Sequence, residues 1–403
     1  MARILYLVHR IPYPPNKGDK LRSFHFLQHL AKNHEVFLGT FTDTPEDIAY
    51  IPMLSRYCAG INALPLNPRL AKLRSLNGLL ADDPLTIRYF RDAAMQRWVN
   101  STLRGQKIDA AIIFCSGMAQ YVEHCQRLPV FVDLVDVDSH KWRVYANKQP
   151  WPMRWVYERE ARKLLAYERK IAARSVRTFL VTEEERSLFA TLAPESTIRL
   201  EVMPNGVDTD YFDPNLDFPN PYPDDVLPIV FTGTMDYWIN VEGATWFIEN
   251  VQPRLADAYP SLKFYVVGRN PTPELAKLAS DRVIVTGAVD DIRPYIRHAK
   301  VSIAPIKTSR GIQNKVLESM AMARPTIADS NCSEAIKQRH ADELIVASSI
   351  DEYLDGIEKC LGDAAYSQVV GNNARARILA DYNWTRNFSC IDPYLDKRAT
   401  SGP

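Results

Sequence analysis

The strongest constraint on the fold is an alternation of short β-branched or apolar runs with longer stretches of helical periodicity, which occurs in both halves of the chain. Strands that alternate with helices build βαβ units and a parallel sheet. Two such series predict two Rossmann-like α/β domains. In the first half the predicted strands are Arg3–His9, Glu35–Phe41, Asp109–Phe114, Val130–Val135, Thr178–Thr182 and Arg199–Met203. In the second half they are Pro228–Thr234, Lys263–Gly268, Arg282–Gly287, Lys300–Pro305, Pro325–Ala328 and Glu343–Val346.

Chain length and a proline-rich segment separate the two series. At 403 residues the chain is longer than one hydrophobic core usually organises. Residues 213–228 hold five prolines and no helical periodicity, which predicts an extended linker or, alternatively, a long surface loop. The predicted domains are residues 1–205 and 206–380, with a helical tail, 381–403, that packs back on the first domain. Ligands bind beyond the carboxyl ends of such strands, so two facing sheets predict a cleft where two substrates meet.

Composition excludes several classes of protein. A net charge of +1 lacks the basic excess of proteins that bind nucleic acid backbones. The six cysteines are scattered without a CxxC pair, which favours a reducing compartment over a zinc site or a disulfide framework. No stretch approaches the roughly 18 apolar residues that span a bilayer. The N-terminus lacks the features of a signal peptide. A cytoplasmic protein is therefore expected.

The segment Ala304–Ala328 has the pattern of a phosphate-binding loop. A strand is followed by a polar loop with Gly311, and a helix begins near Gln313. At such a helix start, free backbone amides and the helix dipole favour an anion, here a diphosphate. Lys315 and Arg310 add positive charge. The other residues predicted to hold the donor here are Ile312, Asn314 and Glu318, the last as an acceptor from ribose hydroxyls.

The same segment resembles the donor-site signature of the retaining family-4 glycosyltransferases. That signature has an acidic residue, seven others, and then a Glu that opens Glu-Ala-Met-Ala-x-Gly-x-Pro. In Leu317-Glu-Ser-Met-Ala-Met-Ala-Arg-Pro325, Glu318 falls on the second acidic position, which binds the nucleotide's ribose in that family. The first acidic position falls on Arg310, and Ala323 replaces a glycine. The resemblance implies a GT-B fold, a nucleoside-diphosphate sugar as donor, retention at the anomeric carbon, and no need for a cofactor or metal.

More of the second half fits this family. The segment Phe231–Asn240 resembles its first donor-domain strand and loop, with Gly233 and Thr234 at the donor. Most members place an Arg and a Lys after this glycine to hold the phosphates, whereas this chain has Asp236 and Asn240. The cations predicted to replace them are Lys315, Arg310 and Arg269.

The first half resembles a narrower group, the sugar transferases associated with bacterial exopolysaccharide and exosortase (PEP-CTERM) systems. Its Pro12–Arg22 loop follows the first strand, and in that group such a loop lies near the donor phosphates and the acceptor. The segment Asp133–Trp142 ends a strand on the cleft side. The residues that these segments supply as candidates are Gly18, Asp19, Arg22 and Asp138 for the acceptor, and His140 near the reacting centre.

Simpler structural interpretations compete with several of these roles. Lys315 and Glu318 are spaced for a surface salt bridge on one helix face. The triplet Asp136-Val-Asp138 is formally the DxD metal motif of the other large glycosyltransferase fold, but cations and a helix dipole can neutralise a diphosphate without metal. Residues 151–177 and 64–76 are basic with aromatic or apolar side chains, which favours contact with an anionic membrane surface or, alternatively, two solvated amphipathic helices.

Three functions agree with the sequence. The first is a glycosyltransferase that moves a sugar from a nucleoside-diphosphate sugar to a saccharide or lipid-linked acceptor. The second is a sugar-nucleotide epimerase of the same fold, which needs carboxylates for proton abstraction and no acceptor. The third is a degenerate nucleotide-binding protein, which is kept open by Arg310 at an acidic position.

Overall fold

The computed structural model describes residues 1–15, 17–79, 83–308, 312–334, 336, 340 and 342–399. The chain divides into two compact units. The first contains Met1–Pro204 and Phe388–Pro403, and the second contains Asn205–Asn387. Each unit has its own parallel sheet and its own apolar core.

The first unit is built on a sheet that has seven parallel strands among the described residues. They are β1 Arg3–Val8, β2 Glu35–Thr42, β3 Gly60–Pro65, β4 Ala110–Phe114, β5 Val130–Val135, β6 Arg177–Leu180 and β7 Leu200–Val202. Their order across the sheet is β3-β2-β1-β4-β5-β6-β7. The helices are α1 Gly18–Ala31, α2 Ile51–Leu54, α3 Pro68–Leu76, α4 Leu85–Tyr89, α5 Ala93–Gly105, α6 Asp138–Ala146, α7 Met153–Arg174 and α8 Glu183–Leu192. Short 3-10 helices are Pro45–Tyr50, Asn77–Leu79, Ser116–Tyr121 and Pro194–Arg199.

The second unit has six parallel strands in its described part. They are β8 Leu227–Thr232, β9 Leu262–Val267, β10 Val283–Gly287, β11 Val301–Ala304, β12 Thr326–Ala328 and β13 Ile345–Val346. Their order is β10-β9-β8-β11-β12-β13. The helices are α9 Trp238–Asn250, α10 Gln252–Ala258, α11 Pro273–Ala276, α12 Arg293–His298, α13 Asn314–Ala321, α14 Ser330–Ser333, α15 Ile350–Gly362, α16 Ala364–Asp381 and α17 Trp384–Phe388. The 3-10 helix Ser389–Ile391 and the final helix α18, Asp392–Ala399, follow and belong to the first unit. Over the described ranges, no helix combines the length and apolarity needed to cross a bilayer.

Side-chain caps fix several helix starts. At α5, Asp92 Oδ1 accepts hydrogen bonds from the backbone N–H groups of Ala94 at 2.7 Å and Met95 at 3.0 Å. At α15, Ser349 and Glu352 form a reciprocal capping box. Caps of this kind contribute about 1 kcal/mol each, so these boundaries are encoded locally in the sequence.

The predicted alternation of strands and helices is confirmed. All twelve predicted strands are present, with ends that differ by at most two residues. The strand β3, Gly60–Pro65, was not predicted. It is a partly exposed edge strand without a β-branched run, and it ends at a proline, so its sequence carries little strand signal.

The proline-rich segment 213–228 lies inside the second unit, so its prediction as a linker between domains is wrong. Tyr222 is 5% exposed and Val226 is 7% exposed, and both pack in an apolar cluster beside β8 and β9. The Tyr222 hydroxyl also donates to the Tyr295 carbonyl oxygen at 2.7 Å. Prolines keep the segment extended, but its aromatic and apolar side chains bind it to the unit's surface.

The C-terminal tail is shared between the two units. Residues up to Asn387 belong to the second unit, where Asn383 forms a parallel β-bridge with Val207. From Phe388 onward the tail belongs to the first unit. The Phe388 ring stacks on that of Phe26 with 4.7 Å between centroids.

Candidate functional site

The site in the second unit is built where two neighbouring strands end. Gly233 follows β8 and donates its N–H to the Val267 carbonyl oxygen of β9 at 3.1 Å. Gly268 follows β9 in the left-handed region, at φ +156°. A Cβ on Gly268 would lie 1.6 Å from the Gly233 carbonyl oxygen. Only glycine fits at position 268, and the two loops can therefore approach closely.

Lys315, in the first turn of α13, reaches this strand end. Its Nζ donates a hydrogen bond to Asn240 Oδ1 and lies 4.8 Å from the centre of the Phe231 ring. A Cβ on Gly233 would lie 3.3 Å from that Nζ and 2.8 Å from Asn240 Nδ2. The missing side chain at Gly233 thus makes room for the pair. Burial lowers the pKa of Lys315 to about 8, although the charge of Glu318 acts in the opposite direction.

Asn240 is the partner that orients the lysine. It is 4% exposed and lies in the first turn of α9. Its Nδ2 donates to the Thr234 carbonyl oxygen at 2.8 Å, so its Oδ1 faces the Lys315 ammonium. From the sequence, Asn240 is expected only as the replacement for a cationic residue of the family. A neutral residue that holds a cation supplied by another helix was not foreseen, since that pairing spans 75 positions.

Glu318 follows Lys315 by one turn on α13 and is partly exposed. Burial raises the pKa of Glu318 to about 7, with the charge of Lys315 acting in the opposite direction. Among the described residues, no group donates a hydrogen bond to its carboxylate, and it forms no ion pair within them. The predicted alternative, a surface salt bridge with Lys315, is therefore absent from this part of the chain. The carboxylate is available to accept hydrogen bonds from a ligand.

The start of α13 supplies backbone donors. The first intrahelical bonds run from the N–H groups of Val316 and Leu317 to the Gln313 carbonyl oxygen. Amides that precede them in a helix have no intrahelical acceptor and can bind an anion. Asn314 Oδ1 is buried and has no hydrogen-bond partner within the described residues. Ile312 and Gln313 are partly exposed just before the helix. Arg310 and Gly311, both predicted at the site, lie outside the described residues.

Arg269 and Thr234 lie at the same strand ends. Arg269 follows Gly268, and its carbonyl oxygen accepts from the Met235 N–H at 2.8 Å. The structure therefore brings together Gly233, Thr234, Arg269, Lys315 and Glu318 at the carboxyl edge of the second sheet.

In the first unit, Arg22 is a structural residue. It is 1% exposed, and its Nε and Nη2 donate to Asp133 at 2.8 Å and 3.1 Å. Its Nη2 also donates to the Met203 carbonyl oxygen at 2.8 Å. Burial raises the pKa of Asp133, although Arg22 acts in the opposite direction. Arg22 was predicted to contact the acceptor, but its guanidinium is enclosed by the protein.

Asp19 lies in a surface cluster near the carboxyl end of β1. It pairs with Arg10 at 2.6 Å and with His9 Nε2 at 3.4 Å. Burial raises the pKa of Asp19, but the hydrogen bond from His9 and the charge of Arg10 outweigh this effect. The pKa of the carboxyl therefore lies well below its usual range. Gly18 is exposed at the start of α1. His9 is not among the residues predicted at the site, although its position at the end of the predicted first strand is a signal for the ligand-binding edge of the sheet.

Asp138 and His140 lie at the start of α6, after β5. Lys141 Nζ donates to Asp138 at 3.3 Å and to Asp136 at 2.7 Å, so a cationic side chain bridges the two carboxylates of the DxD triplet. His140 is partly exposed, and its N–H donates to the Val137 carbonyl oxygen at 3.0 Å. In the described ranges, no three His, Cys, Asp or Glu side chains are arranged to hold a metal.

A buried carboxyl group supports this helix start. Ser139 donates from Oγ to Glu168 at 2.5 Å, and its N–H donates to the same carboxyl at 3.3 Å. Burial and, next, the charge of Asp138 raise the pKa of Glu168 to about 8. Two non-glycine residues at the ends of β4 and β5, Cys115 and Val135, have positive φ values of 73° and 66°. Such backbone strain is common at functional sites.

Solved structures that are similar over nearly the whole chain show the fold. HepE of Anabaena in complex with UDP-glucose superimposes with a TM-score of 0.66 at 15% identity, over 98% of this chain and 100% of that chain. WaaG, a glycosyltransferase involved in lipopolysaccharide biosynthesis, gives 0.66 at 15% identity over 99% and 100%. Sucrose-phosphate synthase of Thermosynechococcus elongatus gives 0.68 at 16% identity over 100% of both chains. The chain has the GT-B fold, and that prediction is confirmed.

One segment of the second unit is similar in sequence to a known family. Residues 227–363 match the family model described as "Glycosyl transferases group 1". This range contains Gly233, Asn240, Arg269, Lys315 and Glu318. The candidate site of the second unit therefore lies within the matched segment. No curated protein sequence matches the chain.

Proposed function

We propose that the protein is a glycosyltransferase that takes a sugar from a nucleoside-diphosphate sugar and passes it, with retention at the anomeric carbon, to a saccharide or lipid-linked acceptor. The observation that carries the proposal is the Lys315–Asn240 pair beside Gly233, at the N-terminus of α13. Glu318 adds a carboxylate one turn later on the same helix. An ammonium, backbone amides and a carboxylate together suit a diphosphate joined to a ribose.

In the proposed reaction, Lys315 and the amides at the start of α13 bind the diphosphate, helped by Arg269 and Arg310. Glu318 accepts hydrogen bonds from the ribose. The bond from the anomeric carbon to the phosphate oxygen breaks, and a bond to the acceptor oxygen forms on the same face. The acceptor proton passes to the leaving phosphate oxygen. The protein contributes mainly by stabilising charge on the departing diphosphate and by positioning the substrates.

The relatives suggest the donor and the setting of this reaction. HepE binds UDP-glucose, which makes UDP-sugars the first donors to test. WaaG acts in lipopolysaccharide biosynthesis, which supports a proposed role in bacterial exopolysaccharide or cell-surface glycan synthesis. The proposed location is the cytoplasm, peripherally on the inner face of the cytoplasmic membrane. We also propose that Lys315 and the helix dipole replace a metal, so turnover is expected to persist in EDTA.

The function is tested by incubating the protein with labelled UDP-, GDP- and ADP-sugars and a membrane lipid extract. Label transferred to a lipid or saccharide supports the proposal, and the anomeric configuration of the product tests retention. An isomerised sugar nucleotide would instead identify an epimerase. Donor that is bound but unchanged would identify a degenerate nucleotide-binding protein.

The shifted pKa values of Lys315 and Glu318 predict a narrow pH range for donor binding. The pKa of Lys315 is lowered to about 8, so its ammonium is lost above that pH and the diphosphate loses its counter-charge. The pKa of Glu318 is raised to about 7, so below that pH its carboxylate is protonated and accepts ribose hydrogen bonds less well. Affinity for UDP-glucose, measured by calorimetry, is expected to be highest between these values and to fall by at most about tenfold per pH unit on the alkaline side.

Two conservative variants separate the two limbs of this profile. Lys315→Arg keeps its charge at alkaline pH, so the alkaline limb is expected to disappear. Glu318→Gln does not titrate, so the acidic limb is expected to disappear. The alkaline limb is expected to remain but to move to lower pH, because the charge of Glu318 raises the pKa of Lys315. If both variants kept the wild-type profile, the assignment of these residues to the donor site would be wrong.

A further inference from the structure

The helix α3 turns its large apolar side chains toward solvent. Leu70 is 57% exposed, Leu73 is 66% exposed and Leu76 is 50% exposed. Their spacing of three places them along one side of the helix. The helix instead buries Ala71 and Ser75. A helix that buries its small residues and exposes its leucines has an apolar face that the described chain does not cover.

The start of α7 has a second exposed apolar group. Trp151 is 82% exposed, Met153 is 42% exposed and Trp155 is 52% exposed. A tryptophan buries a large apolar area when it finds a partner, so two exposed ones in five residues are unusual on a surface that faces only water.

Hydrogen bonds hold these two groups in the same region of the first unit. Arg159 lies one turn after Trp155 and donates from Nη2 to the Gly78 carbonyl oxygen at 2.5 Å. Gly78 follows Leu76 by two positions. The next residue of α7, Glu160, accepts from the backbone N–H groups at the start of α4 at 2.6 Å and 2.9 Å. We call the exposed set the leucine–tryptophan surface, which consists of Leu70, Leu73, Leu76, Trp151, Met153 and Trp155.

The same stretches of sequence are locally basic in a chain of net charge +1. Residues 67–79 contain three cations, Arg69, Lys72 and Arg74, and no Asp or Glu. Residues 142–157 contain three more, Arg143, Lys148 and Arg154, and again no Asp or Glu. Arg154 forms an ion pair with Glu158, with 2.8 Å between Nε and Oε1. Cations therefore flank the leucines and tryptophans on both segments.

We propose that the leucine–tryptophan surface docks the first unit onto an anionic lipid bilayer. Leucine and tryptophan side chains enter the boundary between headgroups and acyl chains, while the flanking cations bind anionic headgroups. A nucleic acid would contact the cations but leave the leucines without an apolar partner. A bilayer accounts for both the exposed apolar side chains and the cations. This docking surface assigns residues to the membrane location in the proposed function, on which it rests, and it would bring the protein to a lipid-linked acceptor.

Co-sedimentation of the full chain with vesicles tests the proposal. Vesicles of phosphatidylcholine and phosphatidylglycerol in equal parts are compared with pure phosphatidylcholine, without sugar nucleotide. We expect binding to the mixed vesicles only. The triple variant Arg69→Gln/Lys72→Gln/Arg74→Gln is expected to bind about fivefold more weakly per cation removed. The apolar variant Leu70→Ala/Leu73→Ala/Trp155→Ala is expected to bind at least about tenfold more weakly.

Ile198→Ala is the matched control, since Ile198 is an apolar residue of the first unit that is 85% exposed but lies outside the surface. It is expected to bind like the wild type. Circular dichroism melting of each variant confirms that the fold is retained. Failure of the wild type to bind mixed vesicles, or full binding by the apolar variant, would overturn the proposal. Because no donor is present, neither result depends on whether the protein transfers sugar.

Discussion

Replacement of Lys315 by methionine is expected to lower kcat/KM for the sugar-nucleotide donor by about 100- to 1,000-fold, which corresponds to about 2.7–4 kcal/mol of transition-state stabilisation. The ammonium lies at the start of α13, where the leaving diphosphate gathers charge in the proposed reaction. Methionine has a similar length and keeps the contact of the side-chain stem with Phe231, whose ring centre lies 4.8 Å from Nζ in the native protein. The loss of kcat/KM therefore results from removal of the charge and not from a cavity. The measurement is steady-state transfer with UDP-glucose or whichever donor the screen identifies.

The melting temperature of Lys315→Met distinguishes a loss of catalysis from unfolding of the variant. Burial disfavours the charged form of Lys315, as its lowered pKa of about 8 indicates, so methionine is expected to leave the melting temperature unchanged or raise it. Lys359→Met is the matched control, because Lys359 also lies over an aromatic ring, 3.8 Å from the centre of Tyr366, but is on α15. The control is expected to turn over like the wild type. Wild-type turnover by Lys315→Met itself would rule out the phosphate assignment.

Local signals in the sequence were sufficient for most of the fold. β-branched or apolar runs predict every strand except β3. The other strands bury such side chains, whereas β3 is a partly exposed edge strand. The segment 213–228 shows the limit of composition. Its prolines predict a linker, but the burial of Tyr222 against Tyr295 depends on a contact between positions 73 residues apart. Proline content predicts an extended backbone and does not indicate what that backbone packs against.

The candidate site was predictable where residues close in sequence form it. Lys315 and Glu318 share one helix face, and their helix follows a strand, so spacing alone placed them together. The roles of Gly233 and Asn240 required the structure. Gly233 must lack a side chain because Asn240 and Lys315 occupy the space beside it. That arrangement brings together two strand ends and two helices, which the order of residues does not reveal.

Arg22 was misassigned for the same reason. A charged residue in a helix after a glycine-containing loop has the pattern of a ligand contact. Its partner Asp133 lies 111 positions away on β5, and both side chains are buried. Because a ligand contact and a buried ion pair can have the same local sequence, only the three-dimensional contact distinguishes them.

The buried pair gives the second large prediction. Arg22→Met is expected to lower the free energy of unfolding by about 3–5 kcal/mol, because it leaves the Asp133 carboxylate buried without its cation. Asp133→Leu is expected to be comparably destabilising, because it leaves the Arg22 charge unpaired. The double variant Arg22→Met/Asp133→Leu is expected to recover most of the loss, apart from the hydrogen bond to the Met203 carbonyl oxygen. Urea denaturation of the three variants measures these differences.

The pH dependence of the two single variants identifies the charge responsible. The pKa of Asp133 is already raised by burial, and removal of Arg22 raises it further because the opposing cation is lost. The folded Arg22→Met protein then binds a proton more readily than the unfolded chain, so its deficit relative to wild type is expected to shrink as the pH falls. Asp133→Leu leaves a guanidinium that acid cannot neutralise, so its deficit is expected to persist. If Arg22→Met unfolded like the wild type but raised KM for the acceptor, Arg22 would be a substrate-binding residue and its structural assignment would be wrong.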